Sequence, residues 1–254
     1  MGLKKILRTI YLWPLLPPDR VNYYQEKIRR AEWEAVKPFI KAHSTFLDVG
    51  CGAGYNLRAA AEELQCRVQG IDPQPGAHGV GRYSSRSLDS LPVDTGTAEH
   101  LPYHDEQFDV VFSSHVLEHV TDVVQSLNEM SRVLKNDGTL IVGMPTSTMA
   151  LTGMFTQIIL TTLMRWHEFL KNPSFSKMKF LLLPGSHSKA NRTVLHDVMN
   201  YTAAKWESRL SGLFLIRERI FPALYPYPDF RQPFKLRKLR NTGSSVFFIC
   251  SKKA

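Results

Sequence analysis

Apolar side chains at Tyr24, Ile28, Ala31, Ala35, Val36, Phe39 and Ile40 recur at helical spacing and predict a helix over residues 22–42. The pattern then tightens. Thr45-Phe46-Leu47-Asp48-Val49 reads as a buried strand that runs into Gly50-Cys51-Gly52-Ala53-Gly54. An Ala- and Glu-rich stretch predicts a helix over 57–64, and 67–71 reads as a second strand ending at Asp72. Residues 73–92 are rich in Pro, Gly, Ser and Arg and read as a loop. A short third strand is expected at 93–97, a strong fourth at 108–112 and a helix over 120–134. Asn136-Asp137-Gly138 reads as a turn into a fifth strand at 139–143. Strands alternating with helices predict an α/β fold whose parallel sheet is covered on both faces.

Past Pro145 the pattern changes. Residues 145–164 carry no charge but many Thr and Ser, and Leu151, Met154, Phe155, Ile158, Leu163, Trp166 and Leu170 recur at roughly helical spacing. That is too polar for a membrane-spanning helix. Residues 145–190 read as an insertion that forms a lid, with Met149, Met154, Phe155, Ile158, Ile159 and Leu160 beside Lys171, Lys177 and Lys179. A helix over 193–210 and strands at 214–221 and 246–251 complete the chain. At the other end, Leu3, Ile6, Leu7, Ile10 and Tyr11 share a helical face beside Lys4, Lys5 and Arg8. This face suits an anionic membrane surface or packing on its own domain. The apolar run ends at Pro14, Pro17 and Pro18, too short to span a bilayer, and no cleavage site follows, so no signal peptide is expected. The organisation expected is an N-terminal helical region, 1–42, and one domain, 43–254, with the lid at about 145–190.

Composition excludes little beyond disorder and a polytopic membrane protein: 43% of the 254 residues are hydrophobic and 22% charged. Charge says more. The net charge is +9, yet residues 43–145 hold 6 basic and 14 acidic side chains. Residues 1–42 hold 9 basic and 4 acidic, and residues 146–254 hold 17 and 5. An acidic middle therefore sits between two basic flanks. Cys51, Cys66 and Cys250 form no C-x-x-C pair, which disfavours a disulfide or zinc scaffold and suits a reducing, cytoplasmic compartment.

The candidate chemistry lies in Asp48-Val49-Gly50-Cys51-Gly52-Ala53-Gly54. Glycines let the backbone turn tightly and approach a ligand, and the following helix offers free N–H groups. Asp72, ending the next strand, suits ribose hydroxyls. The constellation fits a nucleoside-containing cofactor. The spacing departs from the G-x-G-x-x-G of nicotinamide sites, and Asp48 before the glycines would repel a pyrophosphate but attract a cation.

This motif resembles the first motif of class I S-adenosylmethionine-dependent methyltransferases. Ala98-Glu99-His100-Leu101-Pro102-Tyr103 is similar to the A-E-x-L-P-F segment of the branch that includes ubiquinone and menaquinone methyltransferases. Phe108-Asp109-Val110-Val111 with Val116-Leu117-Glu118-His119, and Arg132-Val133-Leu134-Lys135-Asn136-Asp137-Gly138, resemble later passages of the same branch. The resemblance covers residues 45–145. It implies a Rossmann-like, doubly wound sheet of seven strands in the order 3-2-1-4-5-7-6, with strand seven antiparallel. It also implies S-adenosyl-L-methionine as cofactor. Asp48, Gly50, Gly52 and Gly54 would surround its methionine part, Asp72 would hold the ribose, and Thr97 and Ala98 would border the adenine. Ser113 and His115, after strand four, are candidates for the methionine end or the acceptor.

For a general base, His187 and His115 are the candidates, with His196 on the following helix. Glu118-His119 reads as opening a helix, and Tyr103 and Phe108 as core or rim aromatics. No ligand spacing suggests a metal. The lid favours O-methylation of a small or lipid-linked hydrophobic acceptor. The alternatives are C-methylation of a polyprenyl quinone precursor and a cofactor-binding partner module without turnover. Nucleic acid is disfavoured because Ser113-Ser114-His115 replaces the usual base-amino-methylation motif. The basic run Lys235-Leu236-Arg237-Lys238-Leu239-Arg240 suits phosphate groups or a solvated hairpin.

Overall fold

The computed structural model describes residues 18–79, 88–174, 178, 180, 181, 183–188, 192–224 and 241–253. Within these, the side chains of 18–24, 89, 155–161, 163, 164, 167 and 168 are not described. The N-terminal amphipathic face, the basic run at 235–240, Lys177 and Lys179 lie outside the described residues.

The elements are α1 (Pro18–Val36), β1 (Thr45–Val49), α2 (Tyr55–Leu64), β2 (Arg67–Asp72), β3 (Val93–Thr95), β4 (Phe108–Ser114) and α3 (Val123–Val133). They continue with β5 (Leu134–Pro145), α4 (Ser147–Lys171), α5 (Val194–Asn200), α6 (Ala203–Leu210), β6 (Phe214–Ile220) and β7 (Ser245–Lys252). One sheet of seven strands has the order β3-β2-β1-β4-β5-β7-β6. β1 through β5 pair in parallel, and β7 runs antiparallel to β5 and β6. This is the fold the resemblance implies.

The central strands are apolar on both sides because both sides are covered. Leu47, Val111, Leu140, Val142, Phe248 and Cys250 enter one core with Leu127 and Met130 of α3 and Trp206 of α6. Their neighbours Phe46, Val110, Phe112, Ile141, Phe247 and Ile249 enter the other, with Trp33 of α1 and Leu57 of α2. The period of two thus divides each strand between two cores. Phe112 meets Phe247 at 6.2 Å between ring centroids although β5 lies between their strands. Gly143, opposite Phe247 in β5, permits this: a Cβ there would stand 2.4 Å from the ring.

Several boundaries differ from the sequence pattern. β3 stops at Thr95, and Thr97 forms an isolated bridge to His100. The expected Asn136 turn is absorbed into β5, whose pairing with β4 shifts register between Phe108 and Val110. The helix expected over 193–210 is two helices, parted where Tyr201 buries its ring against Trp206 at 5.9 Å. The segment expected to form a lid begins as one helix of 25 residues. Trp33 and Val36 are fully packed in the second core, so α1 and the sheet share that core.

Candidate functional site

The strand order reverses between β1 and β4, the place where an open α/β sheet offers a crevice at the strands' carboxyl ends. Gly50, Gly52 and Gly54 follow β1 with φ of +75°, +53° and +77°, a region that favours glycine. A Cβ on Gly52 would come within 2.7 Å of the His78 carbonyl oxygen, and one on Gly50 within 2.2 Å of Val116. The loop after β1 and the turn after β4 therefore touch, and only glycine fits both contacts. Gly54 then begins α2, whose first N–H groups face the same end.

Two carboxylates meet this loop. Asp72 accepts from the Gly52 N–H at 2.9 Å and the Gln74 N–H at 2.8 Å, which ties the end of β2 to the glycine turn. Asp48 is 1% exposed, and its Oδ2 has no hydrogen-bond partner. Burial pushes its carboxyl up to about 8, the Asp72 charge adds to this, and Arg29 of α1 offsets it in part. Ser113, buried at the end of β4, also has an unpartnered Oγ. These two orphaned polar atoms at the reversal point are suited to a ligand carrying hydrogen-bond donors and a positive charge. Ala98 is buried and Thr97 exposed just beyond β3, beside the end of β2.

The neighbouring motif residues serve as braces. Glu99 accepts from the Thr121 N–H at 2.9 Å, ahead of α3. Arg132 donates to Glu129, Asp105 and the carbonyls of Leu101 and Tyr103, each at 2.8 to 2.9 Å. Tyr103 packs edge-on against buried Phe108, and its hydroxyl donates to Asp94 at 3.0 Å, as core and rim aromatics do.

His115 follows β4 in a left-handed conformation, with φ of +58°. It lies between Glu32 Oε1, 3.5 Å from Nε2, and Glu118 Oε1, 3.6 Å from Nδ1. Burial and Arg29 oppose its protonation, but the two carboxylates prevail and raise it above the ordinary histidine value. Glu32 is itself 3% exposed; burial opposes its ionisation, yet Arg29, His115 and the Ser245 hydroxyl at 2.6 Å hold it at about 2. Arg29 and Glu32 were not among the sequence candidates. Glu32 stands four residues from Ile28 and from Val36, on the apolar stripe of α1, and the docking of α1 onto the ends of β4 and β7 gives it and Arg29 their partners.

Glu118-His119 does not open the helix. α3 starts at Val123, where Asp122 caps it by accepting from the Gln125 N–H at 2.9 Å. Glu118 sits in the preceding turn with its side chain fully buried. Its carboxyl is held below the usual range, since His115 outweighs the burial.

His187 comes from far along the chain, yet its ring centroid lies 5.1 Å from that of His119. Buried Asp197 of α5 holds its loop, accepting from the His187 N–H at 2.6 Å and from the Ser186 hydroxyl. Although the residue is exposed, the groups packed around its ring desolvate the imidazole and lower it below its ordinary value. His187 also lines a cavity of about 300 Å³ between Met149, Ala150 and Gly153 of α4 and Val194 and Tyr201. The structure thus brings both candidate histidines to one end of the sheet; His196 lies 3.4 Å from Asp197 on α5, and is not among the cavity's lining residues.

Comparison with known proteins gives the same class. The family description "Methyltransferase domain" matches residues 47–142. A ubiquinone biosynthesis O-methyltransferase of Bartonella tribocorum is 30% identical over 190 residues, 71% of this chain and 73% of that enzyme. Ajmaline N-methyltransferase of Rauvolfia serpentina is 34% identical over 105 residues, 40% of this chain and 36% of that one. The chain spans less than half the length of several curated relatives it matches. A Thermotoga maritima structure, described as an S-adenosylmethionine-dependent methyltransferase and possible histamine N-methyltransferase, shares the fold with a TM-score of 0.55 at 21% identity, covering 92% of each chain. With the strand order and the glycine loop between Asp48 and Asp72, these place the chain among the class I S-adenosylmethionine-dependent methyltransferases. The cofactor of such a domain is S-adenosyl-L-methionine, and the two orphaned atoms and the glycine cradle fit it.

Proposed function

We propose that the protein methylates an oxygen of a small or lipid-linked hydrophobic acceptor held beneath the lid helix. The observation that carries this reading is the cavity of about 300 Å³ with His187 on its wall. S-adenosylmethionine supplies a methyl group on a cationic sulfonium and departs as a neutral thioether. Asp48 offers a carboxylate to the cofactor's ammonium, Asp72 one to its ribose, and Thr97 and Ala98 border its adenine. Ser113 offers a hydroxyl at the methionine end. His115, fixed between Glu32 and Glu118, orients the turn after β4. In metal-free protein His187 takes the acceptor's hydroxyl proton as the oxygen attacks in line, and the lid excludes water.

Exposed Leu170 (71%) and Met178 (49%) on the lid segment suit an acceptor that arrives from an apolar phase. Among the described residues no helix is long and apolar enough to cross a membrane; the contact proposed with an anionic membrane surface is made by the basic N-terminal sequence.

The test incubates methyl-labelled cofactor with free and lipid-linked hydroxylated acceptors and locates the methyl group in the product. Label on oxygen, slowed roughly 10²-fold or more by His187→Ala, supports the reading. Label on a ring carbon instead supports C-methylation of a quinone precursor. A hydrophilic acceptor or a tRNA turned over equally well without lipid and without residues 1–20 overturns it.

A further inference from the structure

Glu118, His119 and His187 present three ligand atoms that all lie within 4.8 Å of one another. The sequence spacing shows no such group, because His187 reaches the turn after β4 only through the lid and the loop that Asp197 fastens. Among the described residues this is the one cluster of its kind.

A second observation points the same way. Both oxygens of Glu118 are buried and have no hydrogen-bond partner, although the side chain is 0% exposed. His115 attracts it at 3.6 Å and His119 at 3.8 Å, both too long for a hydrogen bond. A buried carboxylate of this kind normally gains direct partners or a cation. The two histidines are the accessible side of the cluster: His119 is 44% exposed, and the ring of His187 reaches the cavity wall.

We infer that Glu118, His119 and His187 form a site for a divalent transition-metal ion. One carboxylate oxygen and two imidazole nitrogens suit Zn²⁺, Mn²⁺, Fe²⁺ or Co²⁺ and disfavour Mg²⁺ and Ca²⁺, which take oxygen ligands. Ligands at about 2.0–2.2 Å from such an ion lie roughly 3.3 Å apart, so the cluster closes by about an ångström or more on binding. Rotation of the exposed His119 and His187 rings supplies that movement. Three protein ligands leave a fourth position open.

The ion would join the lid segment to the turn beside the cofactor crevice. Where the acceptor proposed above is correct, the open position takes its hydroxyl oxygen. The O–H proton then leaves to water, the oxygen pair forms the bond to the methyl carbon, and the C–S pair departs with the thioether sulfur. A ligated His187 takes no proton, so in the loaded protein the ion replaces it in activating the hydroxyl. Only this last role rests on the acceptor reading; the binding site does not.

The test strips the full chain with a chelator and titrates it with Co²⁺, read by visible absorption, and with Zn²⁺, read by calorimetry. The expected result is one equivalent per chain and a low-coordinate Co²⁺ spectrum. His119→Ala and His187→Ala should each weaken binding at least 10-fold with unchanged circular dichroism and unchanged S-adenosylmethionine affinity. Glu118→Gln, which keeps the side chain's shape, should do the same, and exposed His104→Ala should not. Absence of a stoichiometric site, or a site indifferent to both histidine variants, overturns the proposal. Cofactor affinity is measured on the same samples, so failure of the metal site is distinguished from failure of the cofactor site.

Discussion

Replacing Asp48 by asparagine separates the charge of this residue from its shape. The carboxyl is 1% exposed, its Oδ2 is unpartnered, and Asp72 adds a second negative charge. Its folded-state pKa of about 8 stands above the ordinary 3.8. The folded cofactor-free protein therefore binds the proton more tightly than the unfolded chain. The stability this contributes is complete below about pH 4 and is lost as pH rises to about 8. At 1.36 kcal/mol per pH unit, the wild type should lose on the order of 3 kcal/mol relative to Asp48→Asn between about pH 5.5 and 8. Urea unfolding of both proteins across that range reads the difference directly, because other titrating groups cancel.

Cofactor binding should reverse the preference. An ammonium beside Asp48 favours the carboxylate, so at pH 7 binding should release close to one proton in the wild type and far less in Asp48→Asn. Calorimetry in two buffers of different ionisation enthalpy measures that release. Loss of a charged hydrogen bond worth about 1.5–3 kcal/mol should weaken S-adenosylmethionine binding by roughly 10- to 100-fold in the variant. Equal affinities, equal proton release and a flat stability difference with pH would refute the assignment of Asp48 to the cofactor's cationic end.

Other perturbations probe the frame around the site. Gly52→Val imposes a side chain at φ +53° with its Cβ 2.7 Å from a carbonyl oxygen, and should cost about 1–3 kcal/mol in urea unfolding. The same variant should lose measurable cofactor binding, because relieving that clash shifts the backbone whose N–H at position 52 fixes Asp72. Arg132→Ala removes the donors to two carbonyls and two carboxylates and should destabilise by about 1–3 kcal/mol; Arg132→Lys should recover little, since a single ammonium does not reproduce the fork. Trp206→Ala empties a site 2% exposed and strands the Pro145 carbonyl that the indole N–H reaches at 3.2 Å, for a loss of about 3–5 kcal/mol.

The sheet was readable because each central strand is a short apolar run whose alternate side chains both find a core, and because glycines and an acid punctuate β1 and β2. The glycine turn was readable for the same reason: Asp48, the three glycines and Asp72 lie close together in sequence, where local backbone geometry dictates residue type. The acceptor side was less readable. Glu118 looked like a residue opening a helix, and burial in a turn ahead of the Asp122 cap is a tertiary outcome. Glu32 lies on the apolar stripe of α1, four residues from Ile28 and from Val36, so its burial is legible in the spacing, but its partners and those of Arg29 depend on the docking of α1 against β4 and β7. His187 is a general-base candidate from its place between the inserted segment and the next helix, but its approach to His119 depends on the 25-residue α4 and on the Asp197 anchor. The split of charge along the chain agrees with this division. The acidic middle holds Asp48, Asp72 and Glu118, and His187 and α4 lie in the basic C-terminal flank.

The central claim is that this crevice turns over S-adenosylmethionine. Protein is incubated with methyl-labelled cofactor and a fractionated extract of small metabolites and lipids, and both the labelled product and S-adenosylhomocysteine are quantified. The account predicts label in a hydrophobic fraction, S-adenosylhomocysteine formed mole for mole with it, and neither product from Gly52→Val. Tight cofactor binding with no label transferred to any fraction would contradict it and would make the chain a cofactor-binding module without turnover.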